Sequence, residues 1–378
     1  MRVLVATTAG DGHFGPLVPF ASACVAAGHD VRVASPEGLA GTVTAAGFTH
    51  AVLGAPPQEQ LEEIFAELPT LSLEDANVRV VRDIFGRLDA RAALPALEEL
   101  VESWQPDVIL RETTELASYV VSQRHGVPAV QVAVALASLD DFVLDTVDEP
   151  LREQGVPDGS AGLRAATTFT IAPARMEPDA SRPTYRFAAP RDDTSPQPLP
   201  QWWDDTDAPL VYMSFGTVAA NVGLFPSLYD AAIAAVAELD VRLLVTTGSA
   251  ADLAALAPTP PSVHVESFWP QRDVMPHVSA AVGHGGYGTT MATLSAGVPT
   301  VAMPLFAIDQ HYNAKAVADV GAGLALEGGV EATASLAEAL RRVLADEDFA
   351  SAAARIAQEM EQLPPVSTAP GLLERLVQ

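Results

Sequence analysis

The chain carries a single cysteine, Cys24, among 378 residues, so no internal disulfide can form, and its apolar neighbours read as the setting of a buried thiol. Cations are scarce. Lys and Arg number 21 against 48 Asp and Glu, and the formal charge of −27 argues against a nucleic-acid binder or a protein drawn to anionic membranes. An anionic ligand must therefore be held by local groups. No run of about 18 apolar residues occurs, which argues against a spanning helix. Polar Thr7, Thr8, Asp11 and His13 follow the first apolar residues too soon for a signal sequence. No metal-ligand cluster is visible, and Asp204-Asp205-Thr206-Asp207 falls in a linker-like stretch. The expectation is a cytoplasmic protein that needs no metal.

What is present is alternation on a large scale. The length suits two domains of roughly 150 to 200 residues. Strand and helix patterns alternate from Arg2 to Thr7, Pro16 to Ala27, Asp30 to Ser35 and Pro36 to Ala46, with a short strand near His50 to Val52; that rhythm predicts a parallel sheet. Gln58 to Glu67 and Glu74 to Trp104 read as helical. Strand Val108 to Leu110, helix Thr114 to His125, strand Ala129 to Ala133 and a final strand at Phe169 to Ile171 complete a first domain, 1–189. Pro190 to Pro209 holds five prolines and five aspartates and predicts an extended linker. A second alternating domain, 210–362, begins at Leu210 to Ser214, and 363–378 ends in a short helix after Pro364-Pro365. The fold class is α/β, with two Rossmann-like domains.

Two glycine turns stand out. Gly283 to Thr290 follows the strand Ala280 to Val282 and leads into a helix; glycines allow close backbone approach, and a helix N-terminus offers donors and partial positive charge to an anion. The first turn, Gly10-Asp11-Gly12-His13-Phe14-Gly15, is a literal GxGxxG, with Glu37 near the end of the second strand, a pattern that also fits a nicotinamide-cofactor site. It contains His13 at the carboxyl edge of the sheet. As a general base His13 needs an orienting carboxylate, for which Glu112 is the first candidate and Asp11 and Glu115 are weaker ones.

The run HGGYGTTMATLSAGVPTVAMPLFAIDQHYNA, with GDGHFGPLVPFASACVAAGHDVRVAS, VYMSFGT and SFWPQ in the same order along the chain, resembles the nucleotide-sugar-dependent glycosyltransferases of plant and bacterial natural-product pathways. The resemblance implies the GT-B fold, two Rossmann-like domains facing each other across a cleft, with the last helix returning towards the first domain. It implies that His13 deprotonates an acceptor hydroxyl and that Glu112 stands where the family usually has an aspartate. It further implies that Ser214 and Thr217 contact phosphate, that His284, Gly286, Gly288 and Thr289 cradle the diphosphate, and that Phe268 stacks on the nucleobase. The backbone near Trp269 would pair with the base edge, and Asp309 and Gln310 would bind sugar hydroxyls. Taken singly, the Phe-Trp pair also fits core packing, Asp309 a helix cap, and His284 a structural histidine.

Many relatives carry a glutamate for the ribose hydroxyls eight residues after the cradle histidine, where this chain has Ala292. That departure favours a TDP-deoxysugar over a UDP-sugar. The implied reaction is inverting transfer to a small hydrophobic aglycone, without a metal or other cofactor, the nucleotide-sugar being a co-substrate. Acceptor identity, O- or C-transfer and oligomeric state stay open. The rival readings are a nicotinamide-dependent oxidoreductase using the first turn, and a non-catalytic sugar-nucleotide-binding partner of another transferase.

Overall fold

A computed structural model describes residues 1–178, 182–189, 197–203, 206–220 and 222–377. The chain divides into two compact units, one formed by Met1–Ala172, Glu177–Pro190 and Leu363–Gln378, the other by Pro173–Met176 and Arg191–Gln362.

The first unit holds a seven-stranded sheet: β1 (Arg2–Ala6), β2 (Asp30–Pro36), β3 (Thr49–Leu53), β4 (Val108–Glu112), β5 (Ala129–Val132), β6 (Thr168–Thr170) and β7 (Thr184–Arg186). The order is β3-β2-β1-β4-β5-β6-β7 and every pairing is parallel. Helices cover parallel strands on both faces, so β1 is apolar after Arg2 and β4 from Val108 to Leu110, and every residue of the two but Arg2 is buried. Phe20, Ala21 and Cys24 of the helix Val18–Ala26 pack into this core, where burial pushes the Cys24 thiol up to about 12. Val366, Ala369 and Leu373 join the same core, seating the C-terminal segment on the first unit.

The predicted helix Glu74 to Trp104 runs from Leu73 to Trp104, but its middle, Val80–Asp89, is wound as a π-helix. Ser72 caps its start by accepting from the Asp75 amide. The π segment has i→i+5 bonds and is wider than an α-helix; such segments are rare and frequently occur at functional sites. Phe169 does not end the sheet as expected, because the three-residue strand β7 follows it, too short to leave a pattern in the sequence.

The second unit holds β8 (Leu210–Ser214), β9 (Arg242–Thr246), β10 (Val263–Glu266), β11 (Ala280–Gly283), β12 (Thr300–Ala302) and β13 (Gly323–Ala325), in the parallel order β10-β9-β8-β11-β12-β13. Its core gathers Val211, Met213, Leu243, Val245, Val282 and Val301 from the strands with Leu228, Tyr229, Leu336 and Leu340 from the helices. Among the described residues no helix is long and apolar enough to cross a membrane.

Of the stretch read as a linker, residues 190–196, 204 and 205 lie outside the described residues. Leu199, Trp202 and Trp203 do not form a free tether. They pack against Leu210, Tyr212, Leu244 and Val274, the Trp203 indole N–H donates to the Ser262 carbonyl at 2.9 Å, and the Trp202 ring stacks on His264 at 4.3 Å. Two half-buried, packed indoles outweigh the extended preference of the surrounding prolines. Trp203→Ala should therefore destabilise the second unit by about 2 to 3 kcal/mol, read as a lowered denaturant midpoint.

Candidate active site

In a doubly wound sheet, the two strands whose helices leave to opposite faces part at their carboxyl ends, and ligands bind in the crevice this opens. The first sheet turns at β1 and β4, the second at β8 and β11. His13 follows β1 and Glu112 ends β4; Ser214 ends β8 and His284 follows β11. The topology thus collects one group of candidate residues at each switch point.

In the first unit His13 sits on the four-residue helix Asp11–Phe14, entered through Gly10 at a φ of 113°, a value that favours glycine. Its side chain is 27% exposed, while that of Glu112 is wholly buried, and His13 Nδ1 lies 3.3 Å from Glu112 Oε1. Glu112 is strongly solvated by protein. Its oxygens accept from the Thr8 hydroxyl at 2.9 Å, the Thr114 amide at 2.6 Å and the Thr114 hydroxyl at 2.9 Å. Burial alone would raise this carboxyl, but His13 and the Thr114 amide outweigh it and hold the group at about 2. An ionised carboxylate only accepts hydrogen bonds, so Nδ1 carries the ring proton towards it and the basic lone pair falls on Nε2.

The other carboxylates named from sequence are placed elsewhere. Asp11 is exposed, and Glu115 accepts from the Ser118 amide at 3.1 Å and from its hydroxyl, ordering the start of the helix Ala117–His125. Sequence reasoning missed Thr8 and Thr114, which complete the shell of Glu112, and Phe85, whose ring lies 5.5 Å from that of His13. The doublets Thr7-Thr8 after β1 and Thr113-Thr114 after Glu112 were the available signal for the first two; Phe85 is brought in by the π segment, which no local pattern announces. Gly12 and Gly15 have no neighbour within 4 Å of a built Cβ, so neither makes the close helix–strand packing that the third glycine of a dinucleotide fingerprint provides.

In the second unit the cradle is shaped by three close approaches. A Cβ on Gly216 would lie 2.8 Å from the His284 ring, one on Gly286 2.3 Å from His284 Nε2, and one on Gly285 2.6 Å from the Gln310 carbonyl. Glycine is required at each place. Asn313 donates to the Gly285 carbonyl at 2.7 Å and holds the turn. The helix begins at Tyr287 with Gly286 as its N-cap, so its unpaired amides open onto the turn. Gly288 faces open space, Thr217 is exposed, and Thr289 Oγ1 accepts from Gln271 Nε2 at 3.1 Å. Burial brings His284 down to about 4, against a pull from the Ser214 backbone, and its Nδ1 is buried without a partner among the described residues. His284 is therefore a neutral imidazole at pH 7, a hydrogen-bonding group rather than a cation.

The remaining positions divide. Phe268 is 71% exposed, an open aromatic face, whereas the Trp269 ring turns inward onto Trp202 at 4.7 Å. The helix expected from Asn313 begins at Ile308, with Ala307 as N-cap, so Asp309 lies half-buried in its first turn and is not the cap. Gln310 is 3% exposed, and its side-chain oxygen accepts from the Leu305 and Phe306 amides at 2.8 and 3.2 Å. It shapes the loop before its helix, leaving only its amide nitrogen for a ligand. Ala292 is half-buried within the helix Tyr287–Ser295.

Residues 230–374 match the family described as erythromycin biosynthesis protein CIII-like, C-terminal domain. The chain is 33% identical to elloramycin glycosyltransferase ElmGT of Streptomyces olivaceus, covering 96% of this chain and 94% of that protein. It is 29% identical to 4'-demethylrebeccamycin synthase of Lentzea aerocolonigenes, over 100% and 99% of the two chains. Among solved structures it resembles the Streptomyces sp. SF2575 glycosyltransferase SsfS6 complexed with thymidine diphosphate, at 26% identity, a TM-score of 0.77 and 99% coverage of each chain.

The Glu112 carboxyl sits at about 2 in place of an ordinary 4.5, so between those values the unfolded chain binds more protons than the folded one. Its contribution to stability, on the order of 3 kcal/mol, is complete above pH 4.5 and lost as the pH falls through 2. Acid-induced unfolding of the wild type should accordingly steepen across that window, and Glu112→Gln should flatten the profile there while lowering stability at pH 7.

Proposed function

The chain belongs to the natural-product glycosyltransferases, enzymes that move a sugar from a nucleotide-sugar, and on that premise we propose that His13 is its general base in an inverting transfer from a TDP-deoxysugar to a hydroxyl of a small hydrophobic aglycone. The observation that carries this reading is the approach of His13 Nδ1 to a buried, ionised Glu112 at 3.3 Å.

His13 Nε2 takes the proton of the acceptor hydroxyl as that oxygen attacks the anomeric carbon from the face opposite the diphosphate. The new C–O bond forms as the bond to the diphosphate breaks, the electron pair leaves with the nucleoside diphosphate, and the proton stays on the imidazole. The positive charge that develops on His13 is met by Glu112, which is already ionised and already fixed by Thr8 and Thr114. No reorganisation is needed at the moment of reaction. The growing negative charge on the leaving diphosphate falls on the backbone amides from Gly285 to Thr289 and the helix N-terminus, in a turn packed against the neutral His284 ring. These fixed donors serve where other transferases place a metal. Phe268 offers its exposed ring to the base.

The thymidine preference rests on Ala292, where a methyl group stands at the position that in many relatives holds the ribose hydroxyls. A 2′-deoxyribose loses least by that change, and the structure of SsfS6, one of the proteins this chain resembles, has thymidine diphosphate bound.

His13→Ala should lower kcat by roughly a hundred- to ten-thousandfold while TDP affinity, read by titration calorimetry, changes less than about twofold. Full retained turnover would remove the base assignment. TDP should bind more tightly than UDP, with NAD not binding, and Ala292→Glu should narrow the gap by gaining affinity for UDP; equal wild-type affinities would remove the donor preference.

A further inference from the structure

The π segment Val80–Asp89 brings a second carboxyl to the base. Phe85 covers the His13 ring, and Asp89 lies four residues further along, one turn on a helix of this width. Asp89 is half-buried and interacts electrostatically with Glu112, His13 and Glu115. The other acid of the segment, Asp83, is neutralised by Arg79, Arg82 and Arg87, and Arg87 in turn meets Glu153. The Asp89 carboxyl has no hydrogen bond or ion pair among the described residues. A half-buried carboxyl without a partner costs stability and supplies nothing to the fold.

We propose that Asp89 is a specificity residue of the acceptor site, which hydrogen-bonds a carbonyl oxygen adjacent to the hydroxyl that His13 deprotonates. The inference rests on the transfer reading for the role of His13 but concerns which aglycones are held there. The chemistry follows from the neighbours. Burial, with the ionised Glu112 added, raises Asp89 to about 7, His13 pulling the other way, so a large share of it keeps its proton at neutral pH. A protonated carboxyl is a donor, and a carbonyl is the acceptor it fits. A carbonyl conjugated with the reacting hydroxyl also makes that hydroxyl more acidic when it receives a hydrogen bond, which helps a neutral imidazole take the proton. The substrate class is thus an aromatic hydroxy-ketone or hydroxyquinone with the two oxygens side by side.

The test compares 1-hydroxyanthraquinone, whose hydroxyl adjoins a carbonyl, with 2-hydroxyanthraquinone, whose hydroxyl does not. Binding is read by quenching of tryptophan fluorescence, with melting temperature and TDP affinity measured on every variant. Asp89→Ala should weaken binding of the 1-isomer about tenfold and of the 2-isomer less than twofold, and Asp89→Asn, which keeps a donor of the same size, should recover most of the loss. An equal effect on both isomers, no effect on either, or no binding of either by the wild type would overturn the proposal. Turnover with a TDP-sugar is scored separately: its absence beside normal isomer discrimination counts against the transfer reading and leaves Asp89 in its role.

Discussion

A carboxylate with no access to water must find its solvation inside the protein, and Glu112 is the constraint around which the first unit is arranged. Its position at the end of β4 is set by the register of β1 and β4, which also brings Thr8 beside it. Thr114, two residues on, folds back with both its amide and its hydroxyl. Burial pushes the carboxyl up, and His13 first, then the Thr114 amide, hold it ionised; the carboxylate in turn gives Nδ1 of His13 its acceptor and leaves Nε2 as the base. The two threonine hydroxyls hold the same oxygen, Oε1, that faces His13 Nδ1, and the Thr114 amide holds Oε2.

The second unit is limited by space. His284 lies against Gly216 and Gly286 so closely that any side chain at either position would collide with it, and the turn behind it is pinned by Asn313 and the Gln310 carbonyl. Such crowding fixes the amides of the cradle before any anion arrives. That is the condition for fixed dipoles to favour a developing charge, since amides that must first be oriented give back part of what they gain.

Much of this was legible in the sequence because it depends on patterns the chain repeats locally. Alternating apolar strands and helices announced two parallel sheets, and a glycine run between strand and helix announced the cradle. The sequence did not show what depends on distance. β7 and β13 are three residues long and take their order from the strands beside them. The linker-like composition hid Trp202 and Trp203, whose packing partners lie far along the chain. Gln310 read as a ligand group because its neighbours match a family motif, yet its oxygen serves the loop before it. The π segment left no trace in the periodicity, since a helix of either width presents apolar residues at three- or four-residue steps, and so Phe85 and Asp89 could not be assigned to the base.

The two switch points then use the same physical setting to opposite ends. Both place a titratable group behind glycine-rich turns and out of water, where burial disfavours charge on any group. At Glu112 the protein supplies donors and a histidine, and the charge survives; at His284 it supplies one backbone contact and no counter-charge, and the ring stays neutral. Each outcome suits the charge that glycosyl transfer would create nearby. A base that becomes cationic needs an anion waiting, and Glu112 is one. A diphosphate that is already anionic is better met by neutral donors than by a fixed cation, because a cation would hold the donor's ground state and the departing product almost equally tightly. Burial sets the difficulty at both places, and the charges and hydrogen-bond partners within reach decide which protonation state results.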